Sequence, residues 1–419
     1  MCSRLGNWYN AMPILQRFTV LLLIGGLVSG CVLELPDNAN QGGRTDSRTA
    51  AGSNPSGFTI ELNNELFQQS WWAYRDRFIQ GDGRVIDREA EDRSTSEGQA
   101  YALLRAVWID DRDTFDRVLQ WSETNLQRRN LDGSRSDVLW AWKWGKQPDG
   151  NWGLIDGNFA SDGDIDAITA LIFAAQRWNH PPYLDLARQK LKDLWRLSTL
   201  ASPSGRYLLP GPQTAFQPQP DRVYLNPSYF APYAFRLFAR IDSERDWRSV
   251  IDSSYRVLQA AIPLSASGLP SDWLMLNPTT GTVAPTPTDK LPSRYGFDAY
   301  RVWWRVALDA AWFKEPRAQQ YLQQLRPLQQ QWQTNQAIPA QIDLAGKPMV
   351  DYESTAQYAM LYAAFRVTDP ALAEAIYQQK LLPVYRNGFW DNESAYYVQN
   401  LSWLGLFPVE TLPDDWFRA

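Results

Sequence analysis

From residue 58 onward, apolar residues recur at intervals of three and four, the spacing that lines one face of a helix, and period-two alternation is scarce. Helices are predicted near 62–78, 97–109, 113–127, 164–178, 181–197, 227–240, 243–261, 297–313, 316–333, 352–367, 369–382 and 394–406. The connections alternate in kind. Short turns such as Asp110-Asp111-Arg112, Asn179-His180 and Lys314-Glu315 are tight, whereas 128–163, 198–226, 262–296 and 334–351 are long and rich in Gly, Pro, Asn and Trp. Helices therefore come in pairs, and six pairs predict an all-α fold, an (α/α)6 barrel of six inner and six outer helices. An open solenoid would repeat a motif at fixed period, and no such self-similarity occurs. Inner helices starting near 97, 164, 227, 297, 352 and 394 would bring six N-termini, with their free N–H groups, to one end.

Ahead of this region the pattern changes. Arg4 and Arg17 flank an apolar run, Phe18 to Val28, too short for a comfortable membrane span but suited to a secretory signal. It ends in Val28-Ser29-Gly30-Cys31, which resembles the lipobox of bacterial lipoproteins, so residues 1–31 read as a signal peptide with Cys31 as the lipidated mature N-terminus. An ordinary signal peptide or an uncleaved anchor is the alternative. Residues 32–57, rich in Asn, Gly, Ser, Asp and Thr, read as a flexible tether, and 58–419 as the folded domain. The expected location is the exported side of a bacterial cell envelope, with the protein held to a membrane by lipid.

Composition narrows the chemistry. Hydrophobic residues make up 44% and charged residues 21%, a globular balance, and a net charge of −5 offers no footprint for nucleic acid. Both cysteines lie within the first 31 residues, which excludes a disulfide framework. His180, the sole histidine, leaves no room for a multi-His zinc site. Carboxylates remain as acid–base groups. With 20 Trp, 19 Tyr and 17 Phe, many rings are expected to line a groove or sit half-exposed.

Three acidic segments sit at predicted inner-helix starts. Glu97 opens a helix whose apolar face is Ala100, Leu103, Leu104, Val107 and Trp108; Ser94 and Glu97 also have the spacing of a capping box, which would make Glu97 structural. Asp162, Asp164 and Asp166 precede the stripe Ile168, Leu171, Ile172, Ala175. N-capping accounts for one or two of these acids, leaving at least one free for sugar hydroxyls. Asp298 precedes Tyr300, Trp303, Trp304, Ala307, Leu308 and Ala311. Paired carboxylates with aromatic platforms suit glycosidic cleavage, in which one acid protonates the leaving oxygen and one carboxylate activates water. Trp142, Tyr229 and Tyr300 are candidate sugar platforms, and Asp164 a candidate sugar ligand.

These motifs resemble a known family. Ala160-Ser161-Asp162-Gly163-Asp164 through Trp178 is similar to the signature of glycoside hydrolase family 8, and Ser96-Glu97-Gly98, Asn226-Pro227-Ser228-Tyr229-Phe230 and Tyr295-Gly296-Phe297-Asp298-Ala299-Tyr300-Arg301 resemble three further motifs in family order. The resemblance implies an (α/α)6 barrel and inverting hydrolysis of β-1,4-linked polysaccharides, chiefly cellulose, as an endoglucanase that uses carboxylates and water, with neither metal nor organic cofactor. It implies Glu97 as general acid, Asp298 as general base, Asp162 as the acid holding the sugar at the cleavage point, and Arg301 and Tyr229 as substrate-site residues. It also suggests association with a bacterial cellulose synthesis and export system. Chitosanase activity on the same fold and a non-catalytic glycan-binding lipoprotein are the alternatives. Trp303-Trp304 stands where a Pro is common, and Asn392-Glu393-Ser394-Ala395 matches loosely, which leaves subsite preferences open.

Overall fold

The computed structural model describes residues 56–417, so the signal segment, Cys31 and nearly all of the tether lie outside the described residues. In chain order the helices are α1 (Ser56–Phe78), α2 (Ser96–Trp108), α3 (Arg112–Asn125), α4 (Ser161–Arg177), α5 (Pro181–Ser198) and the single turn α6 (Gln213–Phe216). There follow α7 (Pro232–Ile241), α8 (Trp247–Ala261), α9 (Tyr300–Phe313), α10 (Pro316–Leu322), α11 (Arg326–Asn335), α12 (Thr355–Thr368), α13 (Pro370–Ile376) and α14 (Tyr396–Leu406). Helices α2, α4, α7, α9, α12 and α14 each pack on the next, and α14 returns to α2, closing an inner ring. Outside it, α3, α5, α8, α10 and α13 each lie against the inner helix that precedes them, and α1 lies against α14. This is the predicted (α/α)6 barrel.

Local chemistry sets the boundaries. Thr95 Oγ1 accepts the Gly98 N–H at 3.1 Å to start α2, and Asp111 Oδ1 accepts the Thr114 N–H at 3.0 Å to start α3. Proline occupies the first turn of α5, α7, α10 and α13, where its missing N–H costs no helical bond. Prolines also divide helices that periodicity had joined. The predicted 227–240 helix is a 3-10 turn, Pro227–Tyr229, followed by α7 from Pro232. The predicted 316–333 helix is α10, a 3-10 turn at Gln323–Leu325, and α11 with Pro in its first turn.

The long loops are built from short strands: β1 (Ser94–Thr95), β2 (Gln127–Arg129), β3 (Arg135–Trp140), β4 (Lys143–Lys146), β5 (Trp152–Asp156), β6 (Thr199–Ser202), β7 (Gly205–Leu208), β8 (Val223–Leu225), β9 (Leu274–Leu276), β10 (Val283–Ala284), β11 (Tyr385–Arg386) and β12 (Phe389–Trp390). Two antiparallel sheets, β1-β4-β5 and β10-β9-β8, brace the active end, with Ser94 opposite Trp144 and Leu225 opposite Leu274. The aromatic surplus goes mainly inward, contrary to the sequence expectation: Trp71, Trp140, Trp247, Trp303, Trp304, Trp390 and Trp403 are fully buried, whereas Trp72 and Trp152 are exposed. Buried indoles fill much of the space between packed helices.

Candidate active site

Strand β1 runs directly into α2 and delivers Glu97 to the active end. The capping box is not formed: Thr95, not Ser94, caps the helix, while Ser94 Oγ accepts from Arg84 Nε at 2.9 Å. Glu97 is thereby released from the backbone. Its carboxylate accepts the Tyr101 hydroxyl at 2.9 Å and pairs with Arg301 Nη1. The start of α4 comes very close alongside. A Cβ on Gly163 would lie 2.5 Å from Ser96 Oγ and 2.9 Å from Glu97 N, so only glycine permits this approach.

Asp162 follows from that contact. One of its oxygens accepts the Gly163 N–H at 2.9 Å, and the other lies 3.3 Å from Arg301 Nη1. Asp298 sits in a turn before α9, which begins at Tyr300 rather than at the predicted 297, and Arg301 Nη2 donates to its carboxylate. One guanidinium thus gathers Glu97, Asp162 and Asp298 from three elements. Side chains of Arg301 and Asp162 are only 4% and 3% exposed, but Glu97 and Asp298 are 29% and 33% exposed. A buried floor therefore carries two carboxylates that reach solvent.

Burial, reinforced by the charge of Glu97 and opposed by Arg301, pushes the Asp162 carboxyl up to about 8. Burial also holds the Tyr101 and Tyr229 phenols well above their ordinary value, so both remain hydrogen-bond donors. Although burial disfavours its charge, Arg301 is kept protonated by Glu97, Tyr101 and Asp298.

The remaining candidates separate. Tyr229 is half-buried, its ring centre 5.6 Å from the Arg301 guanidinium carbon, at the floor of the cluster. Trp142 is half-buried beside the start of α2, where its carbonyl accepts the Ser96 N–H at 3.1 Å. Tyr300 and Asp164 do not join them. Tyr300 is fully buried, donates to the Ala340 carbonyl and packs against Tyr295 and Phe297, leaving no ring face for a sugar. Asp164 is fully buried on the far side of α4, accepting the Trp140 N–H at 3.2 Å with Lys190 Nζ at 3.8 Å. Asp166, also buried, pairs with Arg305. Of the three acids in this segment, Asp164 and Asp166 are therefore taken up by internal cations, and Asp162 alone joins the cluster.

Three groups here were not foreseen. Tyr101 lies one helical turn after Glu97, a spacing that the sequence displays. Tyr397, from α14, donates to the Phe297 carbonyl at 2.6 Å. Asp272, from the segment before β9, accepts the Ala299 N–H at 2.9 Å, and nothing in the sequence marks it.

Residues 56–408 match the family described as Glycosyl hydrolases family 8. The chain belongs to glycosyl hydrolase family 8. Among relatives of this family 8 protein, the endoglucanase of Xanthomonas axonopodis pv. citri is 34% identical over 343 residues, 77% of this chain and 85% of that one. An endoglucanase of Escherichia coli K12 is 30% identical over 278 residues, 66% of this chain and 71% of the other. Among solved structures, the endo-1,4-D-glucanase from Vibrio fischeri ES114 superposes with a TM-score of 0.70 at 27% identity, covering 83% of this chain and 97% of that one. The endo-β-1,4-glucanase from Acetobacter xylinum gives 0.64 at 26% identity, covering 82% and 97%. The protein is thus a glycoside hydrolase, and the non-catalytic alternative gives way.

Proposed function

We propose that this protein is an inverting endo-β-1,4-glucanase. The arrangement that carries the reading is the pair Glu97 and Asp298, held on different nitrogens of one buried guanidinium and both open to solvent, with Asp162 on the floor. Endoglucanase relatives support a β-1,4-glucan as substrate. In the resting site Glu97 faces Arg301, so the entering sugar must displace that contact before Glu97 can act as an acid. Glu97 then gives its proton to the glycosidic oxygen as the C1–O bond breaks. Asp298 takes a proton from the water whose oxygen bonds to C1 from the opposite face. Asp162 and Tyr229 hold the sugar at C1, and Trp142 offers its ring to a neighbouring unit.

The test is stereochemical. A water between the two carboxyl groups needs them about 6.5–9.5 Å apart and inverts the anomeric carbon, whereas about 5–5.5 Å gives a covalent intermediate and retention. Proton NMR during the first minutes of hydrolysis of a β-glucan should show α-configured reducing ends appearing first. Initial β product would remove Asp298 from the role of base. Reducing-sugar release from carboxymethylcellulose, lichenan, xylan and chitosan in parallel fixes the substrate, and preference for chitosan would replace the glucanase reading. By the same proposal the enzyme is exported, anchored through Cys31, and works beside a cellulose synthesis and export system.

A further inference from the structure

We infer that Asp272 is a positioning residue for the turn that carries Asp298, setting where the base stands; this rests on reading Asp298 as the base. Asp298 itself is weakly tethered: among the described residues its side chain is ion-paired only to Arg301. Its backbone is held from outside. Asp272 Oδ1 accepts the N–H of Ala299, the next residue, at 2.9 Å, and Arg294 Nε approaches Oδ2 at 3.4 Å. The Asp272 N–H donates to the Arg294 carbonyl at 2.7 Å. One carboxylate therefore grips both ends of residues 294–299. Between those ends there is no slack, because a Cβ on Gly296 would lie 2.6 Å from Asp272 Oδ2.

The grip is anchored in a different part of the fold. Trp273 stacks on Phe216 with ring centres 5.9 Å apart and planes 6° apart, and its carbonyl accepts from Ser293 Oγ at 2.8 Å. Asp272 thus joins the β9 strand connection to the turn before α9, and a shift of its carboxylate moves the Asp298 backbone directly.

This grip also responds to pH. The groups facing Asp272 are Arg294, Asp298, Tyr295, Tyr300 and, from α14, Tyr397. Burial first, and then the charge of Asp298, push the Asp272 carboxyl up to about 7. As pH rises through that value Asp272 gains a charge. It then becomes a stronger acceptor for Ala299 and Arg294, which tightens the grip on the turn. Turnover should therefore rise through neutrality in the wild type.

Asp272→Ala should lower kcat roughly 10- to 100-fold, the scale of a small misplacement of a reacting group, with KM within about threefold. Asp272→Asn keeps an acceptor for Ala299 and should restore most of kcat, but without the step near neutral pH. Gly296→Ala, which presses on the same carboxylate, should lower kcat in the wild type and add nothing in the Asp272→Ala background. Wild-type kcat and pH profile in Asp272→Ala would overturn the inference. So would additive losses of kcat in all three variants that follow melting temperature alone. Asp298→Asn separates the two readings, since it should abolish hydrolysis yet keep oligosaccharide binding. An active Asp298→Asn overturns the base, whereas an inactive one beside an unimpaired Asp272→Ala overturns the positioning role only.

Discussion

Arg301 places a single positive charge among three carboxylates, so full ionisation would leave the cluster doubly negative around a buried floor. Burial resolves this by favouring the neutral form of Asp162, pushed up to about 8, so one proton stays in the floor near neutral pH. Replacing Glu97 tests the division of labour. Glu97→Gln keeps an oxygen for the Tyr101 hydroxyl but cannot supply a proton, so turnover should fall by about 100-fold or more in initial-rate assays. Melting temperature should stay within about 4 °C, since the lost contact lies at a partly exposed ion pair. Loss of stability with turnover retained would return Glu97 to a structural role. Acids at inner-helix starts were legible in the sequence, which is how Glu97, Asp162 and Asp298 were found. Spacing alone did not say which acid of 162, 164 and 166 faces the cluster; only the family resemblance pointed to Asp162. Successive helical residues turn by about 100°, and α4 is buried all round, so no polar face marks the lumen. The same rotation puts Arg301 in the site and its neighbour Tyr300 in the core.

Between elements, α2 and α4 meet tightly at the active end, and Gly163 makes that contact possible. Gly163→Ala puts a methyl against the backbone of Ser96 and Glu97, contacts that a side-chain rotation cannot relieve. Such overpacking should cost about 1–3 kcal/mol in urea denaturation and lower kcat as well, because Glu97 and Asp162 are driven apart. Gly157→Ala, where a Cβ meets nothing within 4 Å, is the control and should change neither. Unchanged stability in Gly163→Ala would show that the two helices are free to separate. At this scale the sequence revealed helices well, since most of their apolar stripes run for two turns or more. It did not reveal the strands, which are two to six residues long, too few for alternation to register. Asp272 was missed for the same reason: its role exists only because the β9 connection meets a turn that lies far along the chain.

For the whole molecule, pairing of helices across short turns was sufficient to predict the barrel, because such pairs with long returns on one end have few ways to bury both faces. No helix among the described residues is long and apolar enough to cross a membrane, and the proposed attachment site, Cys31, lies outside them. Cys31→Ser should move the protein from the membrane pellet to the soluble exported fraction, with specific activity unchanged. Wild-type protein already soluble, with a mature N-terminus elsewhere, would remove the lipid anchor. The ring itself is completed by α1 and α14, where Trp403 Nε1 donates to the Phe67 carbonyl at 3.2 Å across 336 residues of sequence. During synthesis Phe67, on the inward face of α1, must therefore wait for the last inner helix before it finds its partner, whereas Trp71 and Tyr74 already meet Asp111 and Arg105. Until then a nascent chain displays part of an aromatic helix face near the start of the folded domain, open to contact with other chains.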